Sequence, residues 1–181
     1  KNLMALTLSD GKVQWQIPTP PERRFYNSAS PMTDGQILIY TGQGTGIRAV
    51  TIQKQGDGYK TVELWHNPDF NPSYNTPVLK EGSLYGLTQA GKLFCVNAQN
   101  GQTAWADTSM NKNFGSIMDA GSVMIALPSS SELVVYKPDL NSYKEIARFK
   151  VAETPVYAHP LLSGKRIYVK DNETLVMWTV Q

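Results

Sequence analysis

The chain has 181 residues and a formal net charge of +2, and its charged side chains are scattered, so it offers neither a basic face for nucleic acid nor a polybasic membrane anchor. A single cysteine, Cys95, excludes an internal disulfide and any metal site built on a cysteine cluster; flanked by Phe94 and Val96, it reads as a small buried apolar residue. No apolar run is long enough to form a transmembrane helix, and the composition is that of a globular protein.

Along the chain the elements are short, β-rich and repeated. An apolar stretch at 3–7 (LMALT) returns at 47–51 (IRAVT), 93–97 (LFCVN), 133–137 (LVVYK) and 175–179 (LVMWT), in steps of 44, 46, 40 and 42 residues. Those steps lie in and around the roughly 40–45-residue period of propeller blades. A second register agrees: Gly35, Gly82, Gly121 and Gly164 each precede an alternating apolar run, which predicts a hairpin turn between two strands. Pro31, Pro77, Ile117 and Pro160 hold a common place ahead of those turns.

Each full unit therefore reads as four strands, A to D, with A near 28–32, 74–79, 115–118 and 158–162 and D near 12–17, 60–66, 102–107 and 144–150. Helical periodicity is missing, and Gly and Pro punctuate at strand-length intervals. The expected fold is all-β: a β-propeller of four-stranded antiparallel blades, with a partial blade at 1–18, blades at about 26–67, 74–108 and 114–151, and a partial blade at 157–181. Strand C would be supplied twice if the two partial blades merged, so the chain is expected to be the C-terminal part of a larger propeller, completed by the remainder of that propeller or by another copy of the chain.

Between strands C and D the chain must reverse tightly, and Gly11 and Gly101 suit the positive φ such a turn needs. Four residues later stand Trp15 and Trp105, with Trp65 and Phe149 in the comparable place of the other D strands. A large flat side chain on an outer strand can lie against the neighbouring blade, so these residues read as staples between blades.

The segment MALTLSDGKVQW (4–15) closely resembles the Ala-x-Asp-x-x-x-Gly-Lys-x-x-Trp docking motif of PQQ-repeat, quinoprotein-type β-propellers. It matches at Ala5, Gly11, Lys12 and Trp15, with Thr7 in place of Asp. The segment CVNAQNGQTAW (95–105) matches at Gly101 and Trp105, with Cys95, Asn97 and Gln102 as substitutes. The resemblance covers essentially the whole chain and implies a family that ranges from quinone-dependent dehydrogenases to BamB-type outer-membrane assembly factors. It also implies a periplasmic, cell-envelope or extracellular setting.

Catalytic chemistry finds no support. His66 follows Trp65, and His159 precedes Pro160; both read as strand-edge residues, and no spacing suggests a metal centre or a nucleophile with its base. The stretch TGQGTG (41–46) lacks the Lys-Ser/Thr and the helix of a phosphate loop and reads as a turn between strands B and C. The resemblance implies pyrroloquinoline quinone and calcium for the enzymatic members, held with the help of adjacent cysteines that one cysteine cannot supply; the expectation is a module without catalytic, cofactor or metal residues, the quinone enzyme being the alternative. The D-to-A connections are long and aromatic. Tyr74, Phe114 and Tyr157 sit three residues before the strand-A Pro or Ile, and Tyr26 five before Pro31. With Arg23 and Arg24 they form a candidate rim for a protein partner or another extended polar ligand, glycans included, against the alternative that the aromatics only plug the ring.

Overall fold

A computed structural model describes residues 2–19, 28–42, 44–72, 74–108, 110 and 114–179. These residues form seventeen strands and no helix, arranged in five antiparallel sheets of consecutive strands. Sheet 1 holds β1 (Asn2–Leu6) and β2 (Val13–Pro18); sheet 2 holds β3 (Met32–Thr33), β4 (Leu38–Gly42), β5 (Gly46–Gln55) and β6 (Gly58–Asn67). Sheet 3 comprises β7 (Val78–Lys80), β8 (Ser83–Leu87), β9 (Leu93–Asn97) and β10 (Thr103–Asp107). Sheet 4 comprises β11 (Gly115–Asp119), β12 (Met124–Pro128), β13 (Glu132–Tyr136) and β14 (Glu145–Lys150), and sheet 5 β15 (Leu161–Ser163), β16 (Arg166–Lys170) and β17 (Leu175–Thr179). The fold is a β-propeller arrangement, with strands where the repeated apolar stretches lie.

The turns explain themselves locally. Gly35, Gly82, Gly121 and Gly164 have φ of 95°, 73°, 83° and 57°, each in the region that only glycine adopts without strain. The two C-to-D hairpins with the docking motif close in the same way: Gly11 N donates to Thr7 O at 2.9 Å, and Gly101 N to Asn97 O at 2.8 Å.

Alternation along the strands gives every sheet two apolar faces, and the cores lie between sheets. Ile39, Ile47, Ala49 and Trp65 of sheet 2 pack on Leu84, Phe94 and Val96 of sheet 3. Leu87, Leu93, Cys95 and Trp105 of sheet 3 meet Ile117, Ala126, Val134 and Tyr136 of sheet 4. Ile125, Leu127 and Leu133 of sheet 4 meet Ile167 and Val169 of sheet 5. The outer faces of sheets 1 and 5 lack such cover: Met4 is 49% exposed where its counterpart Phe94 is 0%, and Leu175 is 67% exposed where Leu93 is 0%.

A β-bulge recurs in the outermost strand. Ala5 faces Trp15, Ala49 faces Trp65 and Cys95 faces Trp105, and in each pair the register shifts beside the Trp, leaving Gln14, Leu64 and Ala104 as the extra residues. In sheet 4 the same register pairs Val135 with Ala147. Phe149 is thus not the counterpart of the tryptophans: it lies two residues further on, opposite Leu133, and is 55% exposed. The connection between β13 and β14 has no glycine at its turn, so the count that places Trp15 and Trp105 has no anchor there.

Candidate functional site

The C-to-D turns and the tryptophans meet across the gaps between sheets. Trp65 is buried, its Nε1 donates to Ala98 O at 2.9 Å, and Asn67 Nδ2 donates to Gly101 O at 2.8 Å. Gly101 has no room for a side chain: a Cβ there would stand 2.6 Å from Trp65 Cδ2, whereas Gly11 has open space around it. Trp105 donates Nε1 to Asp139 O at 2.7 Å, and its ring lies 5.6 Å from that of Tyr143, which takes the place of a turn glycine on the next sheet. Trp15 is half-buried.

On the rim, the structure brings Tyr74, Phe114 and Tyr157 together. They occupy the same position ahead of the first strands of sheets 3, 4 and 5, and their rings form a continuous ladder, with centroids 5.3 Å apart between Tyr74 and Phe114 and 6.4 Å between Phe114 and Tyr157. Tyr74 and Tyr157 are 53% and 66% exposed. The corresponding residue of sheet 2 is Ser28, whose Oγ accepts from Tyr74 N at 3.1 Å and ends the ladder in a hydroxyl. Arg23, Arg24 and Tyr26 lie outside the described residues.

The backbone beneath the ladder is unusual. Tyr74 and Phe114 adopt φ of 62° and 68°, a left-handed conformation that costs a residue bearing a Cβ roughly 1–2 kcal/mol. Gly115, the residue the sequence offers for such strain, is needed for another reason: a Cβ on it would lie 2.5 Å from Leu87 Cδ2 and 2.8 Å from Pro128 Cα.

Two hollows adjoin the rings. One of about 360 Å³ is lined by the three aromatics and Gly115. Another, of about 240 Å³, reaches from Tyr74 and Tyr157 to Thr76, Ser116 and His159. This second tier is polar and tied across sheets: Thr76 Oγ1 accepts from Ser30 N at 2.9 Å, and His159 Nε2 faces Ile117 O at 3.3 Å. The walls of both hollows carry no formally charged side chain among the described residues. His159 was thus legible only as a strand-edge residue, while its place under the ladder depends on the sheet-to-sheet geometry.

For the quinone and calcium chemistry of the enzymatic relatives the described residues fit poorly. Cys95 is fully buried between sheets 3 and 4, and burial pushes its thiol up to about 11. Among the described residues no three His, Cys, Asp or Glu side chains converge on a point. No helix is long and apolar enough to cross a membrane.

A family model described as outer membrane protein assembly factor BamB matches residues 1–107. No curated protein matches the chain at a significant level. Among solved structures, BamB from Moraxella catarrhalis is similar over 97% of this chain and 50% of its own, with a TM-score of 0.72 and 11% identity. The computationally designed Ika4 protein is similar over 88% of this chain and 94% of its own, with a TM-score of 0.65 and 7% identity. The chain therefore spans half the length of the BamB structure it matches.

Proposed function

Because this chain belongs to the outer membrane protein assembly factor BamB family, we propose that it is a non-catalytic binding or scaffold module of the bacterial envelope which presents its rim to a protein partner. The observation that carries this reading is the ladder of Tyr74, Phe114 and Tyr157, repeated on three consecutive sheets, with both tyrosines exposed and Phe114 half-buried between them, and with two of its three positions in a backbone conformation unfavourable for a bulky residue. Strain of that kind persists where the surroundings enforce it and clusters where side chains are aimed at ligands. Exposed aromatic groups over small hollows supply anchors of the type that dominates protein interfaces. The tryptophan contacts at Ala98 and Asp139 serve, on this reading, to keep neighbouring sheets, and so neighbouring rungs of the ladder, in fixed relation.

A photoreactive amino acid at position 157, compared with one at the exposed Tyr59 on the outer hairpin, tests the reading in envelope-containing cells. The expected result is a discrete adduct with an envelope protein from position 157 and none from position 59. Equal labelling from both, or none from position 157, refutes it. Added pyrroloquinoline quinone and calcium should leave the melting temperature unchanged, since a ligand that binds the folded state stabilises it. A clear rise would replace this reading with the enzymatic one.

A further inference from the structure

One layer between sheets departs from the others. Facing the preceding sheet, at the middle of the second and third strands, sheet 3 places Gly86 beside Phe94, sheet 4 Ala126 beside Val134, and sheet 5 Val169 beside Val176. Sheet 2 carries Tyr40 beside Arg48 at that register, with His66 next to Arg48 on β6. Where the other sheets interdigitate apolar side chains, a cleft of about 500 Å³ opens between sheets 1 and 2, within the range typical of small-molecule sites.

Its chemistry is selective. Arg48, Tyr40 and His66 line it together with Asn71 and two apolar flanks, Pro18 and Pro68, and among the described residues no acidic side chain lines it. Arg48 Nη1 is held by Glu63, which does not line the cleft, so the guanidinium is fixed from outside while it faces the space. The Tyr40 hydroxyl is protonated at neutral pH, as in any tyrosine, and burial raises its pKa further, so it is available there as a donor. The turn that forms the third wall is braced: Gly46 N donates to Asn71 Oδ1 at 2.9 Å, and His66 Nε2 lies 3.1 Å from Thr45 O. Gly46 adopts φ 69°, and a Cβ there would meet Asn67 O at 2.5 Å, so the wall is tightly packed.

We propose that this cleft binds a small carboxylate with an apolar body, of the kind a peptide C-terminus carries, with Arg48 and the Tyr40 hydroxyl holding the carboxylate and the two prolines flanking the body. Among the described lining residues Arg48 is the one formally charged side chain; Glu63 takes its Nη1, and the planar guanidinium has further N–H donors that suit a second carboxylate. The site shares no residue with the aromatic ladder and stands or falls apart from it.

The test is calorimetric titration of the 181-residue chain with N-acetylphenylalanine and, separately, its C-terminal amide. The acid should bind at least about tenfold more tightly than the amide, and more weakly as salt is raised. Arg48→Val should abolish binding of the acid while leaving the melting temperature close to that of the parent, because Val134 and Val176 hold that register in sheets 4 and 5. Tyr40→Phe should weaken binding several-fold, and Arg48→Gln provides a polar control should the valine variant fold poorly. Equal affinity for acid and amide, no binding of the acid at millimolar concentration, or undiminished binding by both Arg48 variants overturns the proposal.

Discussion

Gly101 and Gly11 offer a matched pair for measuring what holds one sheet to the next. Both close the same hairpin with nearly the same backbone, φ 73° and 71°. Alanine at either position incurs the cost of a left-handed conformation, about 1–2 kcal/mol. At Gly11 nothing lies within 4 Å of the new methyl group, so that cost is the whole effect. At Gly101 the methyl would stand 2.6 Å from both Cδ2 and Cε3 of Trp65, a rigid and buried ring that can yield only by leaving its place. Displacing it forfeits the hydrogen bond to Ala98 O, about 1 kcal/mol, and disturbs the packing by a further ~1–3 kcal/mol. Gly101→Ala is therefore expected to destabilise the chain by about 2–4 kcal/mol more than Gly11→Ala. Urea unfolding at constant m-value reads the difference directly. In a Trp65→Ala background the excess should vanish, since the ring that objects to the methyl is gone. Equal costs for the two alanines, or an excess that survives removal of Trp65, would refute the reasoning.

Other outcomes follow from the same geometry. Trp105→Phe keeps a ring against Tyr143 but removes the donor to Asp139 O, and should cost about 1 kcal/mol in urea unfolding. The Asp171 carboxylate, held by the backbone N–H groups of Thr174, Glu173 and Thr154, ionises well below the usual carboxylate range. Asp139 is likewise lowered to about 2, first by its bond to Lys144. A depressed folded-state pKa contributes stability that is complete above the unfolded value of about 3.9 and is lost as pH falls below it. The urea midpoint should thus drop from about pH 4 downward, and the drop should be shallower for Asp171→Asn. Cys95, fully buried and with its thiol raised to about 11, should resist a thiol reagent at pH 8 in the native protein and react promptly in urea; rapid native labelling would contradict the core placement.

Much of this architecture is visible in the sequence because glycine and tryptophan leave marks. The four glycines of the A-to-B turns stand where φ must be positive, and the apolar stretches repeat closely enough to place every second and third strand. What stays hidden depends on counting through irregularities or across space. The connection between β13 and β14 carries no turn glycine to count from, so Phe149 looks equivalent to the tryptophans when Ala147 is. Nothing in the residues at 74 and 114 announces a left-handed backbone, since neither is Gly or Asn. The aromatic spacing ahead of strand A does foretell the ladder, but its polar tier of Thr76, Ser116 and His159 appears only when three sheets are set side by side. Arg48 is a different case: it is the one charged residue in a column otherwise held by Met4, Phe94, Val134 and Val176, and that contrast can be read in the aligned repeats.

The most direct measurement of the rim reading replaces Tyr74 and Phe114 by glycine and follows stability and partner labelling together. Glycine relieves the strain at φ 62° and 68°, by about 1–2 kcal/mol at each position. If the rings exist for a partner, the melting temperature should hold or rise while labelling from position 157 collapses. A melting temperature that falls by several degrees with labelling intact would show that the aromatics only plug the ring, and would contradict the account.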